Sequence, residues 1–495
     1  MSSNERIKKG RRLKAGVTQA SAPPEGYFKA VFKRFLKKPT GIAAIIILAV
    51  ILLFAFLTVA LNPQPIPPDS IYSNKRPKSR LGLFGMDGTV VRRVSKSNFI
   101  LLSGLAEGSQ YGISELSQRT ASRDVPSSGG EAQGEGAQQG EKASQREDLS
   151  PIKQIISTEG DITVRVDVYL QEGFRLLSVT EDEMDRIRAW ESQSGVAVLY
   201  PMIDTESHHP KVKNASIWYK VDKALMPLEG RLIPNYLTNK DGSYIYATPS
   251  DSNMWRIRVL YYNYYRYKNG REPYYELGTD SSGHDILTRL ARSVLFSLAI
   301  ALGVSAINLT VGTLYGAVEG YYGGRVDLVL ERVSEILGGL PLIVTVTLVG
   351  QRVTSGAVWQ LLIAFLLTGW LGTASRVRAQ FYRFKGRQYV LAARTLGASS
   401  GYIMLHHILP NALGTVITSS VLVVPGVIFS ESMLSYLGII SLQGDTPGLG
   451  AMLASAQGVF TKYPYQMLFP AAVISLIMIA FNLFGDALRD AFEEE

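Results

Sequence analysis

The chain is 495 residues long, 46% hydrophobic and 19% charged, with 51 Lys and Arg against 42 Asp and Glu and no cysteine. Without cysteine there is no disulfide scaffold, cysteine-ligated zinc, iron–sulfur cluster or thiol nucleophile. A charged fraction below the roughly 25% usual for soluble chains indicates that part of the sequence avoids water. The formal net charge of +9 is concentrated at one end, because residues 1–40 hold eleven Lys and Arg against Glu5 and Glu25.

That basic arm, residues 1–40, runs directly into Gly41–Leu61, twenty-one uncharged residues dense in Ile, Leu, Val and Phe. At about 1.5 Å per residue the stretch spans a hydrocarbon core of roughly 30 Å, so residues 41–61 are predicted as the first transmembrane helix. The long basic region and the lack of a small-x-small site favour a retained anchor over a cleaved signal. A basic region set this close to the bilayer points to lipid headgroups, not to nucleic acid. Within the arm, Phe28, Val31, Phe32, Phe35 and Leu36 recur at helical spacing while Lys29, Lys33, Arg34 and Lys37 fill the other face. This predicts an amphipathic helix lying on the inner leaflet.

Residues 62–273 form a large insert between the first and second spans. Alternation in Ile162–Leu170 and Trp255–Leu260 predicts strands, and Glu181–Ser192 a short helix, so an α+β or β-rich domain is expected. Ser117–Ser150 is rich in Ser, Gly, Gln and Glu and predicts a disordered linker, about residues 117–150. Gly134, Gly136 and Gly140 there have no preceding strand and reflect composition, not a dinucleotide fingerprint. The tyrosines of Tyr261–Tyr267 and Tyr274–Tyr275 suit either the headgroup layer or a domain core.

Residues 274–495 hold the remaining apolar stretches, Ser293–Val318, Val333–Gly350, Ala357–Ala374, Ala412–Leu437 and Met467–Leu488. Six spans in all predict a mainly α, polytopic membrane protein. The arm and the segment Ser375–Asn411, which carries Arg376, Arg378, Arg383, Lys385, Arg387 and Arg394 without an acid, belong in the cytoplasm by the excess of Lys and Arg. Both termini are then cytoplasmic and the insert extracytoplasmic.

Chemistry-bearing motifs are missing. There is no Gly-x4-Gly-Lys-Ser/Thr loop for phosphates, no His-Glu-x-x-His and no Gly-x-Ser-x-Gly elbow, so no catalytic residue, metal site or cofactor is predicted in this chain. His208–His209, near Asp204 and Glu206, and His406–His407 read as solvated pairs. Glu331, Arg332 and Glu335 read as a structural ion pair.

The informative stretch is Tyr389-Val-Leu-Ala-Ala-Arg-Thr-Leu-Gly-Ala-Ser-Ser, ending in Ile408-Leu-Pro-Asn411. Ala392, Ala393, Gly397 and Ala398 are small residues at roughly helical spacing that let a partner backbone approach, and Pro410 ends the segment. The stretch resembles the docking loop of the inner-membrane permeases of ATP-binding-cassette importers at Ala392, Ala393, Gly397, Leu409 and Pro410, with Leu391 and His407 departing from the general pattern. Ala-Ala-Arg-x-x-Gly-Ala is similar to the dipeptide/oligopeptide/nickel subfamily. So are Leu277, Gly278, Thr279, Asp280, Gly283 and Asp285 ahead of the second span, Gly320-Tyr-Tyr-Gly-Gly324 with Asp327, Leu340–Pro341, Glu431 with Leu434-Ser-Tyr-Leu-Gly438, and Asn482-x-x-Gly-Asp486-x-Leu-Arg489-Asp490. His284 replaces an arginine of that pattern, and the loop before Gly450 departs from it. The likeness covers about half of the chain and leaves the insert unmatched.

The resemblance implies the type I importer permease fold in a bacterial cytoplasmic membrane. Its implied partners are a second homologous permease, two cytoplasmic ATPases that bind ATP and Mg²⁺, and an extracytoplasmic solute-binding protein. It also implies that Tyr389, Ala392, Ala393, Arg394, Gly397, Ala398, Pro410 and Asn411 couple the pore to the ATPases. Peptides are the expected substrate, with nickel or another small solute as the alternative, and a membrane receptor with a large outer domain as the reading from another class. Counted at about 1.5 Å per residue, Gly338, Gly339 and Pro341, and Pro425 and Gly426, fall near mid-bilayer as kink points along the path. Close helix packing through glycine is the other reading of these positions. By the same count Glu431 reaches the outer edge, solvated; with Asp280 and Asp285 it is assigned to an external gate or a binding-protein contact.

Overall fold

The structure is a computed structural model that describes residues 27–62, 67–79, 86–123, 148–158, 162–204, 214–222, 226–250, 253–353, 356–440, 442 and 447–493. In chain order these form α1 (Tyr27–Phe35), α2 (Pro39–Leu61), β1 (Thr89–Val94), α3 (Lys96–Arg123), β2 (Ile152–Ser157), β3 (Ile162–Asp167), β4 (Phe174–Val179), α4 (Glu181–Ser194), β5 (Leu199–Tyr200), β6 (Ala247–Pro249), β7 (Trp255–Leu260) and α5 (Tyr261–Asn269). Then follow α6 (Ile286–Tyr322), α7 (Gly324–Gly338), α8 (Leu342–Arg352), α9 (Ala357–Thr368), α10 (Leu371–Phe384), α11 (Gln388–Thr395), α12 (Ser400–Tyr402), a π-helical turn Ile403–Ile408, α13 (Leu409–Val421), α14 (Val423–Tyr436), α15 (Leu449–Gln457) and α16 (Tyr465–Glu493). The protein is mainly helical. Two compact units divide it, one of Met1–Leu61, Leu290–Gln457 and Met467–Glu495, the other of Asn62–Arg289 with Gly458–Gln466. The second unit thus reaches past residue 273, the boundary expected for the insert, because the segment ahead of α6 pairs backbone with Asp69, Asn74, Lys75 and Lys78.

Among the described residues, four helical segments are long and apolar enough to cross a membrane: Pro39–Leu61, Ile286–Tyr322, Ala357–Phe384 and Tyr465–Phe492. Two bent pairs bring the number to six if each is one span. Leu53, Phe56 and Leu57 of α2 and Leu302, Leu314 and Ile479 elsewhere are exposed, as lipid-facing residues are. The stretch Val333–Gly350, expected as one span with a kink at Gly338, Gly339 and Pro341, is broken there into α7 and α8 meeting at 82°. Pro341 has no N–H to give and its ring would strike the carbonyl four residues back, so α7 stops at Gly338. Likewise Ala412–Leu437 is broken by 44°, between α13 and α14. The break falls at Leu422 and not at Pro425–Gly426 as expected, since Pro425 displaces the carbonyl of Val421 and so acts one turn upstream.

The amphipathic α1 forms as predicted, but its inner edge meets protein. Val31 and Phe35 bury against Ala487 and Ala491 of α16, and the Phe35 and Phe484 rings lie 4.9 Å apart. Phe32 and Leu36 remain exposed, so only half of the apolar stripe is free for lipid. A second packing device escaped the periodicity argument. Gly312, Gly316 and Gly320 recur every fourth residue on α6, and a Cβ on any of them would run into α10: Thr373 and the Trp370 carbonyl, the Ala374 carbonyl, and Phe381 with the Arg378 carbonyl. The two backbones touch along that stripe.

The second unit carries two antiparallel sheets, of strand order β1-β3-β2 and β4-β7-β5, with β6 also on β7. The predicted strands occur as β3 and β7, and the predicted helix as α4. Thr180 caps that helix by accepting from the Glu183 N–H at 3.3 Å, and Gly195 ends it at φ +69°. The helix α3 runs to Arg123, so the expected linker is helical over 117–123; residues 124–147, with Gly134, Gly136 and Gly140, lie outside the described residues, as do His208 and His209. The tyrosines settle in the core: the Tyr72 ring meets Tyr169, Tyr261 and Tyr265 edge-on at 5.3, 5.4 and 5.2 Å, and the Tyr265 and Tyr275 hydroxyls share a hydrogen bond of 2.9 Å. Trp218, fully buried, donates its indole N–H to the Gly104 carbonyl at 2.7 Å. Without disulfides, this aromatic core supplies the burial.

Candidate functional site

The short helix α11 has two unlike faces. Val390 is fully buried and joins Ile403, Ile408, Ala412, Val416, Val377 and Phe381 in one cluster. Away from it Tyr389, Leu391 and Ala392 are exposed, and Leu396 is 88% exposed. An aliphatic side chain held this far into solvent by an anchored helix marks a contact surface. Gly397 stands at φ +83°, so the chain reverses in the left-handed region, its N–H bonding the Arg394 carbonyl at 3.0 Å and that of Ala398 the Ala393 carbonyl at 3.1 Å. Ser399 then caps α12, accepting from the Tyr402 N–H at 3.4 Å.

Pro410 sits just inside α13, and the helix widens to the π-helical turn Ile403–Ile408 ahead of it. The wider turn removes the conflict between the proline ring and the carbonyl of His406. Asn411 donates to the His407 carbonyl at 2.7 Å, and Tyr402 stacks on His406 at 4.3 Å, so this histidine pair is built into the turn's surface and not merely solvated. Arg394 lies over Tyr321, with 3.4 Å from Nη2 to the hydroxyl, tying α11 to the end of α6. Of the expected coupling residues, Tyr389, Ala392, Arg394, Gly397, Pro410 and Asn411 are exposed, whereas Ala393 and Ala398, expected to meet a partner backbone, are half-buried and pack inward against the Val390 cluster.

Beside this face lies a charge network that the sequence did not reveal. Arg378 of α10 donates two hydrogen bonds to Asp327, of 2.6 and 2.8 Å, and two to Glu331, of 2.8 and 2.9 Å, both acids on α7. Glu319 of α6 lies 3.5 Å from the same guanidinium, and Tyr382 donates to Asp327 at 2.6 Å. Lys385 closes the cluster by donating to the Gly320 carbonyl at 2.9 Å. Arg332 and Glu335 do pair within α7 as expected, whereas Glu331 turns to Arg378, 47 residues on. One guanidinium fork thus holds α6, α7 and α10 together.

Gly338, Gly339 and Pro341 stand at the 82° break between α7 and α8, and Pro425 and Gly426 lie in the first turn of α14. Glu431 of α14 differs from its expected solvated setting: it is 1% exposed. Ser297 of α6 and Ser435 donate to its two oxygens at 3.2 and 3.3 Å, and Ser432 lies 3.4 Å away. The Leu449 N–H, opening α15, bonds Ser297 Oγ at 3.3 Å, and Gly448 lies against the carboxyl so closely that a Cβ there would collide with it. No basic side chain bridges to Glu431 among the described residues. Counting residues along a straight helix could not show this, because the fold-back of α15 covers the carboxyl.

Asp280 and Asp285 sit in the turn ahead of α6. Asp280 accepts from the Ser282 and His284 N–H groups at 2.8 and 2.9 Å and pairs with Arg289. Burial opposes its ionisation, but the hydrogen bonds from His284 and the Arg289 charge outweigh it and hold the carboxyl below its usual range. Asp285 caps α6 through the Leu287 and Thr288 N–H groups, both at 3.2 Å, and burial pushes its carboxyl up. Both side chains are used internally. Among the described residues no group of three His, Asp or Glu side chains is arranged to hold a metal ion.

Residues 308–495 match the sequence profile of the binding-protein-dependent transport system inner membrane component family. The chain is 36% identical over 216 residues to the oligopeptide transport system permease protein OppC of Bacillus subtilis, covering 44% of this chain and 70% of that one. It is 38% identical over 226 residues to the OppC of Haemophilus influenzae, covering 45% and 71%. Identity to the dipeptide transport system permease protein DppC of Bacillus subtilis is 37% over 217 residues, covering 44% and 67%.

Proposed function

The chain belongs to the family of binding-protein-dependent transport system inner membrane components, and on that premise we propose that it is the permease subunit of an ATP-driven peptide importer. The observation that carries the reading is the exposed face of α11, with Leu396 standing out over an anchored inner face. A surface of small and aliphatic residues on a rigid mount suits docking by a cytoplasmic ATPase. The six spans are α2, α6, the bent pair α7 and α8, the pair α9 and α10, the bent run through α13 and α14, and α16. Both termini and α11 lie in the cytoplasm, by the excess of Lys and Arg in those segments, and the insert lies outside.

ATP and Mg²⁺ are bound by the partner ATPases, and this chain contributes no catalytic group. It forms half of the pore beside a second, homologous permease, and an external binding protein delivers the peptide. Motion of α11 reaches the pore through Arg394 and the Arg378 network, which join it to α6, α7 and α10. Gly338, Gly339 and Pro341 supply the break where the path can widen, and the Glu431 group fastens α15 on the outer side.

Gly397 is the lever for a test. A Cβ there meets nothing within 4 Å, so a side chain has room although φ +83° strains any residue but glycine, and a long cation would project from the docking face. Gly397→Arg is expected to cut the ATPase co-purified with the tagged chain by about tenfold, a loss of about 1.4 kcal/mol in affinity. Gly397→Asn, the side chain that best bears the left-handed turn, should retain it. Equal recovery with all three chains, or a chain that purifies alone from its native membrane, overturns the docking role.

A further inference from the structure

The second unit holds an open cleft of about 420 Å³ between α3 and β4. Leu101, Leu105, Phe174 and Leu176 supply an apolar wall, and Gln171 and Arg175 supply polar groups. Strand β4 is an edge: β7 pairs with it on one side, while β5 and β6 take the far side of β7. Successive residues of an antiparallel strand direct their N–H and C=O groups to alternate sides. Phe174 sends its N–H away from the ladder, to Ser216 Oγ at 3.0 Å, so Leu176 and Ser178 face outward on that same side. Among the described residues their outward backbone groups meet no partner.

The polar groups are also incompletely used. Arg175 is fixed by one hydrogen bond to Glu172, of 2.6 Å, and Lys75 holds the other oxygen of that carboxylate. The guanidinium is otherwise open and 45% exposed. Gln171 Oε1 is buried and has no hydrogen-bond partner. An open strand edge, an apolar wall and a half-exposed guanidinium held on one nitrogen are complementary to an extended peptide that ends in a carboxylate.

We propose that this cleft binds a short peptide as an added strand on β4, with its terminal carboxylate on Arg175. The proposal stands apart from the transport reading, because binding is measured on this chain alone. The experiment uses the purified full-length chain in lipid nanodiscs and the peptide Val-Thr-Val-Thr-Val with an amino-terminal fluorophore, followed by anisotropy. Saturable binding is expected. Methylating the peptide's N–H groups on alternate residues should weaken binding by about tenfold or more in one phase and leave it unchanged in the other, since only one set faces the strand. Arg175→Ala should weaken the free-carboxylate peptide by about tenfold and leave the amidated peptide unaffected. No saturable binding up to millimolar peptide, as when a segment of this chain already covers the edge, overturns the proposal. Equal loss with both methylation phases overturns strand addition, and equal behaviour of the two peptides toward Arg175→Ala overturns the carboxylate contact.

Discussion

Arg378→Met is expected to destabilise the helical unit by about 3 kcal/mol, the cost of leaving the largely buried Glu319 and Asp327 without their cation. The methionine keeps most of the length and apolar surface of the arginine stem, so packing changes little. What disappears is the fork that four hydrogen bonds fix to Asp327 and Glu331, with Glu319 3.5 Å away. Three carboxylates then share one partly enclosed space. Arg378→Lys should recover little, because an ammonium cannot meet two carboxylates in the same bidentate geometry. The check is the temperature at which the detergent-solubilised chain loses its monodisperse size-exclusion peak. A double-mutant cycle with Asp327→Asn should return a coupling of about 2 kcal/mol. Additive losses in that cycle would mean that the network is a surface ornament and that α6, α7 and α10 are held by packing alone.

Gly316→Leu is expected to abolish the folded unit, and even Gly316→Ala to cost about 2 kcal/mol, the scale of overpacking in a close-packed interior. A Cβ at this position would overlap the Ala374 carbonyl, which is backbone and cannot swing away. The helices must separate, and the contacts of Gly312 and Gly320 go with them. Gly303→Ala on the same helix is the control. A Cβ there meets nothing within 4 Å, so the change should be neutral or stabilise by up to about 1 kcal/mol through helix propensity. If both alanines behave alike in membrane yield and thermal stability, the glycine stripe is not what joins α6 to α10.

Part of the candidate coupling segment was legible because it is local. The spacing of Ala392, Ala393, Gly397 and Ala398 translates into the short helix α11, whereas the left-handed reversal at Gly397 was not read from it and Pro410, expected to end the segment, stands inside α13 behind a π-helical turn. Locality also holds for α4, whose cap, body and terminating glycine follow each other in the chain. Proline breaks were legible in kind but not in place: Pro425 acts on the carbonyl of Val421, and the bend appears a turn earlier than the residue that causes it.

Glu431 and Arg378 show where local reading stops. A count of 1.5 Å per residue places Glu431 at a membrane edge, but whether water reaches its carboxyl depends on α15 folding back over it. Arg378 looked like one of several basic residues in a cytoplasmic loop, and its partners are on other helices. The period of glycines 312, 316 and 320 went unread, and a period says only that one face of α6 is smooth, not that α10 lies on it.

Hydrophobic length, the segregation of Lys and Arg, and short-range capping and breaking are properties of neighbouring residues. They determine which stretches are apolar enough to cross a membrane and that residues 388–395 form a short helix. Which carboxylate is buried, which arginine carries three acids and which strand edge stays open depend on groups brought together from distant parts of the chain. Desolvation and hydrogen bonding act over a few ångströms of space whatever the sequence separation, so only the tertiary structure could decide them.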